Sequence, residues 1–139
     1  MPAISALVPN SNIIHHTSKI FSYLPAVALT VGIAVLSLWE YPHIPKEIHA
    51  SDKVLHALMY LFFAMAWIAP SAYQRLAKLA TYAIVLLATT AYGALMEILQ
   101  RFCTLSRSGE MADLYADFLG ALIGLILVAL CQRLFTTSH

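Results

Sequence analysis

Between Met96 and Gly124 the chain sets acid, amide and guanidinium groups between two strongly apolar runs. Glu97 and Gln100 are three residues apart, and Asp113, Asp117, Gly120 and Gly124 recur at steps of four, three and four. At about 100° per helical residue, each set lies on one helix face. Upstream, Asp52, His56 and Tyr60 are four apart and make a stripe descending about 12 Å along a helix. The segment before Asp113 adds Arg107, Gly109 and Glu110. Two chemistries suit such a mixture. Arg107 and Lys53 can clamp an anionic head group, and a divalent cation beside a pyrophosphate would favour Glu97, Asp113 and Asp117. Alternatively, His56 acts as a general base with Glu97 or Asp113 as its partner and Arg107 as the anion stabiliser. The chain has no Ser-His-Asp order, no HExxH and no Gly-rich phosphate loop, so His56 and Glu97 stay catalytic candidates without an assigned role.

These residues must be positioned by helices that live in lipid. Hydrophobic residues make up 60% of the 139-residue chain and charged residues 11%, with a mean hydropathy of +0.76; a soluble domain carries about 25% charged residues. The composition therefore predicts a single all-α membrane domain over residues 1–139. Four spans are expected, at about 20–39, 54–73, 79–99 and 113–133, each near the length needed to cross a bilayer core of about 30 Å. Short connections force neighbouring spans to run antiparallel, giving an up-down four-helix bundle. A net charge of +1 gives no reason to expect nucleic acid. Cys103 and Cys131 lack metal-binding spacing and are expected at opposite membrane faces, too far apart to bridge.

Alternation places Lys19, Arg75, Lys78 and Arg133 on one side and Lys46, Lys53, Arg101 and Arg107 on the other, a tie in basic residues. All seven acids fall on the second side. Acids weigh little in orientation, yet they favour an outward-looking polar face, with both termini in the cytoplasm. Asp113 can serve as a helix-start acid. Asp117 lies a full turn further in, where an ionisable group costs about 2.5 to 3.5 kcal/mol unless it faces a partner or water. Ala116, Gly120 and Gly124 form a small-residue ridge that admits a close helix neighbour. An internal partner is expected, with the Gly93 face as one choice, and the chain is expected to be a monomer or weak homo-oligomer.

The ordered set Asp52-Lys53-x-x-His56-x-x-x-Tyr60, Glu97-x-x-Gln100, Arg107-Ser108-Gly109 and Asp113-x-x-x-Asp117-x-x-Gly120 resembles the VanZ-like family of small bacterial membrane proteins. The likeness spans roughly residues 20–130. The family usually has Asn at the position of Asp117, so this chain adds a negative charge there. The family's namesake is associated with teicoplanin resistance. The resemblance implies a multi-pass protein of the bacterial inner membrane that belongs to the cell envelope. The ligand expected is a lipid-linked cell-wall precursor or a glycopeptide-like molecule, held by Asp52, Lys53, His56, Tyr60, Glu97, Gln100, Arg107, Asp113 and Asp117. Membrane lipids are the expected surroundings. No cofactor is expected, with a divalent cation on Glu97, Asp113 and Asp117 left open. Two alternatives stand beside binding: a small membrane hydrolase or transferase acting on a lipid phosphate, and a closed polar network that only holds the helices in register.

Overall fold

The structure, a computed structural model, describes residues 20–39, 49–73, 78–104 and 110–136. Four helices occupy them: α1 (Leu24–Leu38), α2 (His49–Tyr73), α3 (Leu79–Cys103) and α4 (Met111–Thr136). Leu-, Ala- and Ile-rich sequence sustains each one, and in lipid a helix is the form that satisfies every backbone amide within its own segment. Pro70 stays inside α2 instead of ending it. At the C-terminal end of α3, the Thr104 N–H donates to the Gln100 carbonyl at 3.1 Å and closes the helix.

Three helices are long and apolar enough to cross a membrane: Asp52–Ala72, Leu79–Cys103 and Met111–Phe135. The first expected span is shorter than its apolar run. Helix α1 holds 15 residues, about 22 Å at 1.5 Å per residue. Tyr23 lies in a turn closed onto the Ile20 carbonyl, Pro25 sets the helix start, and Trp39 is already extended. The other three helices reach beyond the expected bounds, and Asp52 and Lys53 sit in the first turns of α2, on the helix that carries His56 and Tyr60.

Side-chain ties define the directions. Lys53 meets Asp113, His56 meets Asp117 and Ala72 meets Gln132, so α2 and α4 run parallel. Tyr82 meets Gln132, while Glu97 meets Glu110, so α3 runs against α4. Helix α1 runs with α3, because Thr30 accepts from the Tyr92 hydroxyl and Ser37 from the Gln100 amide. The bundle is therefore up-down throughout. Its core gathers Ile33, Tyr60, Phe63, Ala64, Ile68, Met96, Ala121 and Leu125. Ile84, Leu87, Leu119 and Ile126 point outward and exposed, as a lipid-facing surface requires and a water-soluble one avoids.

The tightest seam lies between α2 and α4. A Cβ at Gly120 would collide with the backbone of Ala57, and one at Gly124 would sit 2.5 Å from the Leu61 carbonyl oxygen. The neighbour of the small-residue ridge is therefore internal, but it is α2 and not the Gly93 face. Gly93 is occupied otherwise: the space over it is bordered by Asp117 Oδ2 at 2.8 Å and the Tyr60 ring and hydroxyl at 3.3 Å.

Because backbone, not a movable side chain, opposes Gly120, Gly120→Leu is expected to lower stability by about 3 kcal/mol or more, read by thermal unfolding in detergent. The elution volume of whatever protein still folds should match the wild type, since the seam lies within one chain.

Candidate functional site

The charged end of the bundle is built by the start of α2, the end of α3 and the start of α4. Parallel running of α2 and α4 brings their first turns side by side. There, Lys53 Nζ donates to Asp113 Oδ1 at 2.9 Å and to Glu110 Oε2 at 3.1 Å. One turn deeper, His56 Nδ1 is hydrogen-bonded to Asp117 Oδ1 at 2.9 Å. Antiparallel α3 supplies Glu97, whose Oε2 accepts the Glu110 backbone N–H at 2.8 Å. That amide is among the unpaired donors that open every helix, and a carboxylate is well suited to meet it.

Burial separates a rim from an interior. Lys53 and Glu110 keep 38% and 44% of their side chains accessible, and Asp52 is half-buried. Asp113, His56 and Glu97 are buried, and Tyr60 and Asp117 are each only 1% exposed. Asp117 lies six residues into α4, about 9 Å from its start. Without a partner such a carboxylate would not be tolerated there, and His56 is that partner. The interior is incompletely paired: Glu97 Oε1 and the Tyr60 hydroxyl make no hydrogen bond among the described residues.

Of the nine residues expected to meet a ligand, seven converge here: Asp52, Lys53, His56, Tyr60, Glu97, Asp113 and Asp117. Gln100 reaches towards α1. Its amide donates to the Ser37 carbonyl at 3.1 Å and ties α3 to α1. Arg107, expected to clamp an anionic head group or stabilise an anion, lies outside the described residues. Within the described cluster Lys53 holds the acids at the rim and His56 holds Asp117 inside. Glu110 was not counted among the ligand-contacting residues; its place as the acid opening α4, three residues ahead of Asp113, was the available signal.

The other end of the bundle is stitched by different polar groups. The Gln132 amide donates to the Ala72 carbonyl at 2.7 Å and accepts from the Tyr82 hydroxyl at 2.6 Å. A wide apolar cavity of about 1190 Å³ lies on that side, lined by Met65, Ala69, Leu86 and Leu125 among others. Cys103 and Cys131 are free and exposed, at the ends of antiparallel α3 and of α4, so their separation matches the expectation.

A bundle with three membrane-length helices and one boundary cluster of acids, lysine and histidine defines a multi-pass helical membrane protein. Within that class the chain belongs to the VanZ/LLP1 family, whose model matches residues 5–132. No match was found among curated proteins or solved structures.

Removing one member of a buried pair strands the other. His56→Ala is expected to lower stability by on the order of 3 kcal/mol, whereas Asp117→Asn, which keeps the size and removes the charge, should cost less. Chemical unfolding in detergent, followed by circular dichroism, checks the order.

Proposed function

We propose that the protein is a bacterial envelope component that holds the polar head of an anionic, lipid-linked cell-wall precursor or glycopeptide-type molecule at the membrane boundary. The observation that carries this reading is the sorting of charge. Five carboxylates, on Asp52, Glu97, Glu110, Asp113 and Asp117, gather with Lys53 and His56 at one end of otherwise apolar helices. A rim of Lys53, Asp52 and Glu110 remains open to water while the deeper groups stay fixed. Lys53 offers an ammonium to a phosphate. The accessible carboxylates accept hydrogen bonds from sugar hydroxyls or a peptide ammonium. Binding needs no nucleophile, and none of the described hydroxyls bonds His56.

In this reading the cluster faces outward from the inner membrane, with both termini in the cytoplasm. The link to glycopeptide resistance is proposed on family membership. A cluster serving only to hold three helices in register would leave Lys53 and Glu110 without a binding role, and the test separates the two.

Cys103 and Cys131 report the orientation. In single-cysteine variants of intact cells, a membrane-impermeant maleimide should label Cys103 and leave Cys131 unlabelled; the reverse pattern would place the cluster in the cytoplasm. For the ligand, nanodiscs carrying a polyprenyl diphosphate should retain the protein more strongly than those of phosphatidylethanolamine alone. Lys53→Ala should remove the difference, and it should also remove any teicoplanin resistance conferred by the wild type at unchanged protein level. Equal retention by both membranes would refute head-group binding. Release of phosphate from the probe, abolished by His56→Ala, would replace binding by hydrolysis.

A further inference from the structure

We propose that His56, Glu97 and Asp117 form a binding site for one first-row divalent cation, Zn²⁺ or Mn²⁺, buried between α2, α3 and α4. Each helix contributes one residue, all three are buried, and one ligand atom from each lies within 4.8 Å of the others. Such ions bind nitrogen and oxygen at about 2.0 to 2.2 Å, which keeps neighbouring ligand atoms roughly 3 to 4 Å apart. His56 Nδ1 and Asp117 Oδ1 stand 2.9 Å apart already. A Glu97 carboxylate oxygen lies within 4.8 Å of both. One imidazole with two carboxylates is a donor set that suits either ion.

Two further observations point to a ligand at this place. Glu97 is 9% exposed and its Oε1 has no hydrogen-bond partner among the described residues, although Oε2 accepts from the Glu110 amide. The Tyr60 hydroxyl, 1% exposed, is likewise unpartnered and borders the space over Gly93 together with Asp117 Oδ2. Buried polar atoms left unpaired are costly, and a cation satisfies the carboxylate directly. Charge leads the same way. Two carboxylates and a neutral imidazole around a divalent ion sum to zero, whereas a protonated His56 balances only one of the two acids. In a medium of low dielectric that remaining charge is expensive.

Asp52, His56 and Asp113 form a second, overlapping set. It is the poorer host: Lys53 Nζ lies 2.9 Å from Asp113 and would repel a cation, and Asp52 is only half-buried. The metal site does not depend on the head-group reading, since the ion alone is its probe.

Untagged Cys103→Ser/Cys131→Ser protein in detergent, stripped with chelator, is titrated with Co²⁺ and followed by visible d–d absorption. Zn²⁺ and Mn²⁺ are added in competition, and metal content is measured after desalting. The folded chain should hold one ion, with Zn²⁺ displacing Co²⁺ and Mn²⁺, the weaker binder in the divalent series, competing only in large excess. The shape-preserving Glu97→Gln and Asp117→Asn should each bind at least about tenfold more weakly. Absence of both absorption and bound metal in the folded chain overturns the proposal, as does undiminished affinity in folded Glu97→Gln. If the variants fail to fold, the titration of the parent chain decides alone.

Discussion

A carboxylate six residues inside a membrane helix has to be met, and the arrangement of this protein follows from how Asp117 is met. His56 reaches it from α2 only because α2 and α4 run parallel at near-contact distance. That distance exists because Gly120 and Gly124 present no side chain to the backbone of Ala57 and Leu61. Apolar packing alone cannot set such a register, since lipid tails solvate leucine as well as a neighbouring helix does. The glycine seam sets how near the helices come, and the His56–Asp117 and Lys53–Asp113 pairs set which turns lie opposite. Helix α3 then closes the third side, with Gly93 making room for Asp117 and Tyr60 while Glu97 accepts the Glu110 amide that opens α4.

The same geometry explains why the charged end has two characters. At the rim, Lys53 bridges the buried Asp113 and the accessible Glu110, and on the Glu110 side, in contact with water, pairing is weak and exchange with a ligand is easy. One turn deeper the groups are held by neighbours on three helices and no longer move freely. A head group binding at the rim and an ion seated in the interior would use different residues of one cluster. Neither requires the broad apolar cavity at the far end.

Much of this was legible from residue spacing. Four apolar runs, the up-down alternation and the meeting of acids from α3 and α4 with His56 all follow from period and hydropathy, because a greasy helix has few places to put a charge. Other features were not legible. Periodicity places Gly120 on a face but does not say which helix lies against it, and the Gly93 face was already taken. The partner of Glu97 is a backbone amide, invisible in a pattern of side chains. The tie from the Gln100 amide to a carbonyl on α1 is equally invisible in such a pattern. The Tyr82–Gln132–Ala72 tie joins residues 50 and 60 apart in sequence, a pairing that no local signal announces. The length of α1 depended on a turn at Tyr23 that hydropathy does not register.

The claim on which the rest depends is that His56 and Asp117 form one interacting unit inside the bundle. A double-mutant cycle with His56→Ala and Asp117→Asn, measured by reversible unfolding in detergent, tests it most directly. The account predicts a coupling of about 1 to 3 kcal/mol, as for residues in direct contact. Strict additivity of the two changes would contradict it and would leave the charged end without the contact that organises it.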